Sequence, residues 1–212
     1  MKRGLFFLFL LAVTVLCAFS QNARRITGVI RELTGEVELK RTEASAFIKA
    51  KVGDTVAADT VISTGFKSIA IIAVGSASIT VRPLTRLSLA EIQSVADTET
   101  LNVKLQTGRV RLDVKPPAGT KTSCTVQGPG ATASVRGTSF EFDTFNLKVN
   151  EGRVAFQGNR GRAILIPAGM ASYIDADGKA VDLFGADIPE TRKSLRKSVN
   201  SHNVDLDLKF EW

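Results

Sequence analysis

Between residues 27 and 183 apolar and polar side chains alternate with a period of two, the pattern of an extended chain with one buried face. In "GEVELKR" Val37 and Leu39 share one face, and Glu36, Glu38 and Lys40 the other. "ASITVRP" does the same with Ile79 and Val81, "GRVRLDV" with Val110, Leu112 and Val114, and "RVAFQG" with Val154 and Phe156. Such stretches predict antiparallel sheets wet on one side. Gly, Asp, Asn and Pro interrupt them about every 8 to 12 residues, the rhythm of an all-β sandwich or barrel. "KSIAIIAVGS" is apolar at every position from Ile69 to Val74 and predicts a strand buried on both faces. No helix is predicted inside this region.

Three of the strands begin alike. "LTGEVELKR", "QTGRVRLDV" and "NEGRVAFQG" each set a glycine two residues before a valine, at Gly35, Gly108 and Gly152. The spacings of 73 and 44 residues are unequal, which rules out a fixed-period solenoid repeat. One turn chemistry is reused, with glycine supplying a positive φ ahead of the strand. Beyond Ile188 the character changes. "PETRKSLRKSVNSHN" predicts a short solvated helix starting at Pro189 and Glu190. "VDLDLKFEW" then predicts a final strand with Val204, Leu206, Leu208, Phe210 and Trp212 on one face. Five apolar side chains in a row need a cover, either the protein's own sheet or a partner's sheet completed by strand addition.

The first twenty residues have the layout of a secretory signal: Lys2 and Arg3, an apolar run from Leu5 to Leu16, then Ala18-Phe19-Ser20. Cleavage is expected between Ser20 and Gln21, giving a periplasmic or secreted protein with no transmembrane anchor in the mature chain. The run falls short of the roughly 20 residues that span a bilayer. Lipidation at Cys17 is the weaker reading, because Leu16 is a poor residue before a lipidated cysteine. The remaining 192 residues hold 26 basic and 21 acidic side chains. The mild positive balance is spread along the strands, and one Tyr and one Trp give nucleic acid little to stack on. Cys124 would be the only cysteine left, so no internal disulfide forms, and its β-branched setting suits a small core residue.

"GATASVRGTSFEFD", Gly130 to Asp143, is the stretch most suggestive of chemistry. A phosphate loop needs glycines at fixed offsets before a helix, and here Ala133 stands in the third position and a strand follows. A nucleophile at Ser134 or Ser139 needs a base, and the single histidine, His202, sits in a polar segment far along the chain. No His/Cys cluster suggests a metal, and Asp175-Ala-Asp177-Gly178 begins like a calcium loop but reads as a turn. No enzyme, cofactor or metal is therefore expected.

An ordered series of motifs resembles the FecR-type domain of bacterial envelope proteins. It runs over residues 49–175: "KVGDTVAADTVISTG", "SIAIIAVGSASITVRPLTRLSL", "VKLQTGRVRLDV", "VQGPGATASVRGTSFEFD", "LKVNEGRVAFQ" and "ILIPAGMASYI". The signature is Val-Arg-Gly-Thr-x-Phe, here Arg136, Gly137, Thr138 and Phe140. One departure is Ala73-Val74-Gly75, where the family carries an acidic residue before Gly-Ser. The resemblance implies a β-sandwich of jelly-roll type, with a small β-solenoid as the alternative. Residues 1–20 form the signal, 21–187 the β domain, and 188–212 a short C-terminal helix and final strand. In the signature, Gly137 permits a turn, Thr138 bonds local backbone, and Phe140 and Phe142 enter the core. Arg136 is expected to satisfy carbonyls or a carboxylate, and its planar fork also suits a ligand's carboxylate or phosphate. The family regulators pass a siderophore signal to a sigma factor across the inner membrane. Here the leader runs straight into the domain, so that role is not expected. The expected function is an exported, non-enzymatic module that works by contact with an envelope or periplasmic protein, as an accessory part of a larger assembly. The alternative is a ligand- or polysaccharide-binding module using Tyr173 and Trp212.

Overall fold

The computed structural model describes residues 24–42, 44, 46–95 and 98–181. Every regular element among them is a strand. In chain order they are β1 (Arg24–Arg25), β2 (Gly28–Thr34), β3 (Val37–Lys40), β4 (Ile48–Lys49), β5 (Thr55–Val56) and β6 (Val61–Thr64). There follow β7 (Ile69–Val74), β8 (Ala77–Val81), β9 (Arg86–Val95), β10 (Thr98–Thr107), β11 (Arg109–Val114) and β12 (Lys121–Gln127). The last are β13 (Ala131–Arg136), β14 (Ser139–Asp143), β15 (Asn146–Glu151), β16 (Arg153–Gly158), β17 (Ile164–Pro167) and β18 (Ala171–Tyr173). The expected signal, its Ser20–Gln21 junction, the C-terminal helix and the strand Val204–Trp212 lie outside the described residues.

The strands form two sheets. The larger has ten strands in the order β17-β16-β13-β12-β10-β9-β6-β3-β4, with β1 also paired to β9. The smaller has eight, β18-β15-β14-β11-β8-β7-β2-β5. Alternate residues of both sheets bury into one apolar cluster, from Ile30 and Leu39 to Phe156 and Ile166. Phe142 of the small sheet meets Phe156 of the large one edge to face, with centroids 6.3 Å apart. Each such ring, removed from water, contributes roughly 1.5–3 kcal/mol.

Apart from the short strands β1, β4 and β5, both sheets run in chain order from one edge to the other. A jelly roll is built of Greek keys, which return a late strand beside an early one. Among the described strands only β9 does so, beside the two-residue β1, so the described residues form two stacked, mostly antiparallel sheets without the Greek keys of the expected jelly roll. Unlike a solenoid, the chain advances mostly by antiparallel hairpins: β7–β8, β9–β10, β12–β13, β14–β15 and β16–β17. β2, β5, β6 and β11 cross as single strands, and after β11 the chain returns as β12 parallel to β10, the one parallel pairing among the described strands.

The reused glycine turn is the corner at which the chain changes sheets. Gly35 lies between β2 and β3, Gly108 between β10 and β11, and Gly152 between β15 and β16, with φ of 77°, 89° and 77°. Gly137, between β13 and β14, is a fourth, at φ 66°. At Gly35 and Gly108 a buried hydroxyl braces the corner. Ser68 Oγ accepts the N–H of Glu36 at 2.8 Å, and Thr85 Oγ1 accepts that of Arg109 at 2.9 Å.

One expectation is corrected here. β7 is buried on one face only: Ala70, Ile72 and Val74 are inside, and Ile69, Ile71 and Ala73 are half-buried. Its apolar outer face lies within the sheet between β2 and β8, and among the described strands no second layer covers it. The Gly75–Ser76 turn, which lacks the family's acidic residue, does hold a carboxylate. Glu99 of β10 reaches across to it and accepts from the Ser76 N–H at 2.9 Å and the Ser76 hydroxyl at 2.6 Å.

Candidate functional site

Hairpin turns gather at the two ends of the sandwich, and one end carries an unusual set of exposed side chains. The turn Gly65–Ser68 packs beside Pro83–Leu84, whose Leu84 N–H donates to Gly65 O at 3.2 Å. Phe66 is 73% exposed, Leu84 60% and Phe145 52%. Leu84 has φ 55° and Lys67 φ 53°, in the left-handed region that costs roughly 1–2 kcal/mol for a residue with a Cβ. Leu84 and Phe145 flank a cleft of about 760 Å³ that also takes in Arg82, Arg109 and Asp143.

These side chains are held in place. Asp143 accepts the N–H groups of Phe145 and Asn146 at 2.9 and 2.8 Å, an Asx turn that fixes the loop tip. The Phe145 ring lies over Gly130, where a Cβ would fall 2.5 Å from it, and this accounts for the glycine at that position. The cleft continues into a ladder of charge on the outer face of the small sheet. Arg82 and Arg111 both approach Glu141 (3.7 and 3.8 Å), Arg109 approaches Asp143 at 3.8 Å, and Arg111 pairs with Asp113 at 3.0 Å. Burial pushes the Asp113 carboxyl up, but hydrogen bonds from Arg111 and Ser139 and nearby positive charge leave it below the usual range. Ser139 is thus a buried donor to Asp113. Ser134 lies apart from it, with its hydroxyl 3.3 Å from that of Thr125.

The signature corner lies at the opposite end. Phe140 and Phe142 are fully buried, and Gly137 makes the turn. Two details differ from expectation. The Thr138 hydroxyl is buried without a hydrogen-bond partner among the described residues, and its methyl group faces Gly152. Arg136 is exposed and, among the described residues, in no ion pair; with Arg153 it borders a cleft of about 620 Å³ floored by Ser123, Thr125 and Ser134. Asp175 is a turn residue: it accepts the Lys179 N–H at 2.8 Å, with Gly178 at φ 77°. Among the described residues no group of three His, Cys, Asp or Glu is placed to hold a metal ion, and no helix is long and apolar enough to cross a membrane. Burial pushes the Cys124 thiol up to about 12.

Leu84, Phe66 and Phe145 escaped the sequence reading. Their signal is a single large apolar residue among turn formers, "RPLT", "TGFK" and "DTFN", where the alternation breaks.

Two stacked, mostly antiparallel sheets with an exposed apolar loop end describe an all-β module. Residues 60–155 match the family model described as FecR protein, so the chain carries a FecR domain. Two crystal structures of a candidate anti-sigma factor from Parabacteroides distasonis ATCC 8503 are similar to it, at 14% and 13% identity and TM-scores of 0.46 and 0.45. Each match covers 57% of this chain, which spans 57% of the length of that structure. No curated protein matches the chain.

Proposed function

We propose that this protein is an exported FecR-type module that works by protein–protein contact in the periplasm or cell envelope, as an accessory part of a larger assembly. The observation that carries this reading is the loop end around Leu84 and Phe145. Large exposed apolar side chains held rigidly beside charged residues are the makings of a contact surface with an apolar centre and a polar rim. Leu84 strengthens the case, since an exposed leucine in the left-handed region gains the fold little that glycine or asparagine would not.

Photo-cross-linking in intact cells tests this. A photoreactive residue at position 84 or 145 should capture one abundant envelope protein, and the same residue at Gly119, at the far end, should capture none. Recovery of the uncross-linked monomer alone from both loop positions would count against a protein partner and favour the small-ligand alternative.

A further inference from the structure

The arginines of the two outer faces are treated differently. On the small sheet each is given a carboxylate: Arg82 faces Glu141 at 3.7 Å, Arg109 faces Asp143 at 3.8 Å, and Arg111 pairs with Asp113 at 3.0 Å. The large sheet instead sets two arginines beside each other. Val135 of β13 faces Val154 of β16, and both are buried, so the next residues, Arg136 and Arg153, come side by side on the outer face. Both are exposed, and both border the cleft of about 620 Å³. Among the described residues no Asp or Glu lines that cleft. Like charges on neighbouring strands repel, and an anion held between them would offset the repulsion.

Hydroxyls form the floor. Ser123 of β12 is the cross-strand partner of Arg136, and Thr125 is the partner of Ser134, two residues further along the same ladder. Two residues of strand span about 7 Å, within the length of an arginine side chain. The Thr125 and Ser134 hydroxyls are 3.3 Å apart, and whichever of them donates, the other keeps its own proton for a ligand. All three floor residues are half-buried and open to the cleft. Leu165 of β17, opposite Ala155 and 60% exposed, gives the cleft an apolar wall.

We propose that this cleft binds a phosphoryl group, held between the Arg136 and Arg153 guanidinium groups and seated on the hydroxyls of Ser123, Thr125 and Ser134. A guanidinium presents two parallel N–H groups to two oxygens of one anion. A carboxylate has oxygens and charge for one such fork. A phosphate ester, with a charge of about −1.5 to −2 at neutral pH and three acceptor oxygens, has enough for both forks and a hydroxyl. The cleft is larger than the anion alone requires, and the Leu165 wall suits the carbon skeleton that carries it. The site lies at the end away from Leu84 and Phe145 and stands independently of the contact surface there.

Titration of the full chain with inorganic phosphate, at low ionic strength and against matched sodium chloride, tests this. Phosphate should raise the melting temperature saturably, as a ligand of the folded state does. Arg136→Gln and Arg153→Gln should each weaken the apparent affinity by at least about fivefold, read by calorimetry as well. Both arginines are exposed, so the melting temperature without phosphate should stay unchanged. Lys49→Gln removes the same charge from β4, at the other border of the same sheet, and should weaken binding by less than about twofold. Vesicles carrying phosphatidic acid identify the source. Co-sedimentation lost in the same two arginine variants would support a lipid headgroup as the ligand, and phosphate binding without vesicle binding would support a soluble phosphate ester or free phosphate. No saturable effect of phosphate on the native protein, unchanged affinity in both arginine variants, or equal losses in all three variants would overturn the proposal.

Discussion

A Cβ at Gly108 would lie 2.3 Å from Thr85 Oγ1 and 2.5 Å from Thr85 Cα, at a φ of 89°. Gly119 has almost the same φ, 85°, with nothing within 4 Å. The pair separates backbone strain from collision. Gly119→Ala should cost about 1–2 kcal/mol, the left-handed penalty alone. Gly108→Ala adds a clash with backbone that cannot swing aside, and should lower the melting temperature clearly further, at about 2–4 °C per kcal/mol for a chain of this size. Equal shifts in thermal unfolding would show that the corner yields. Cys124 gives a second prediction. Its thiol is fully buried and pushed up to about 12, against roughly 8.5 in the unfolded chain. The folded state thus favours the neutral thiol: its contribution is complete below about pH 8.5 and is lost as pH rises towards 12. Native protein should ignore a thiol reagent at neutral pH and react only when denatured, while fast labelling of folded protein would mean the core opens there.

At the scale of elements, the sheet-switching corners look alike in sequence but are braced differently. Thr85 Oγ1 accepts from the N–H of Arg109 and lies 3.1 Å from its carbonyl, as a donor to it, whereas Thr138 Oγ1 bonds nothing among the described residues. Both threonines are buried. Thr85→Val leaves that N–H without its acceptor and should destabilise by roughly 1–3 kcal/mol. Thr138→Val removes a hydroxyl already unsatisfied and should be neutral or stabilising in a denaturant titration. A loss at Thr138 as large as at Thr85 would mean its hydroxyl has a partner in solution. The contrast marks what the sequence discloses. The alternation gave the strands and the inward faces of Val110, Leu112, Phe140 and Phe142, because burial with period two is written locally. The glycines at 35, 108 and 152 gave the corners for the same reason. Sheet order was not legible: whether β11 lies beside β8 or β12 depends on which sheet the chain enters after Gly108, and no local residue encodes that choice. Glu99 was hidden likewise, since its partner Ser76 is 23 residues away on the other sheet. Leu84 and Phe145 stood in plain sight but looked like ordinary turn residues.

For the whole molecule, largely chain-ordered sheets mean that, among the described residues, the late strands β16 to β18 pair with none of β1 to β6. β4 and β5 close one border, β17 and β18 the other, and the ten-residue strands β9 and β10 pair along their length in the middle of the larger sheet. A jelly roll would tie the two ends of the chain together and make them open as one unit. In this arrangement a border strand can detach by breaking one ladder, as terminal repeats do in stacked proteins, while opening β10 requires losing both the β9 and the β12 pairings. Native-state hydrogen exchange should therefore give a gradient, with the amides of β9, β10, β12 and β14 protected to near the global stability. Those of β4 and β5 should exchange by local opening at far lower free energy. The amides of β17 and β18, at the far border, should exchange early in the same way. A flat profile, with both borders as slow as the centre, would contradict the open, chain-ordered architecture itself.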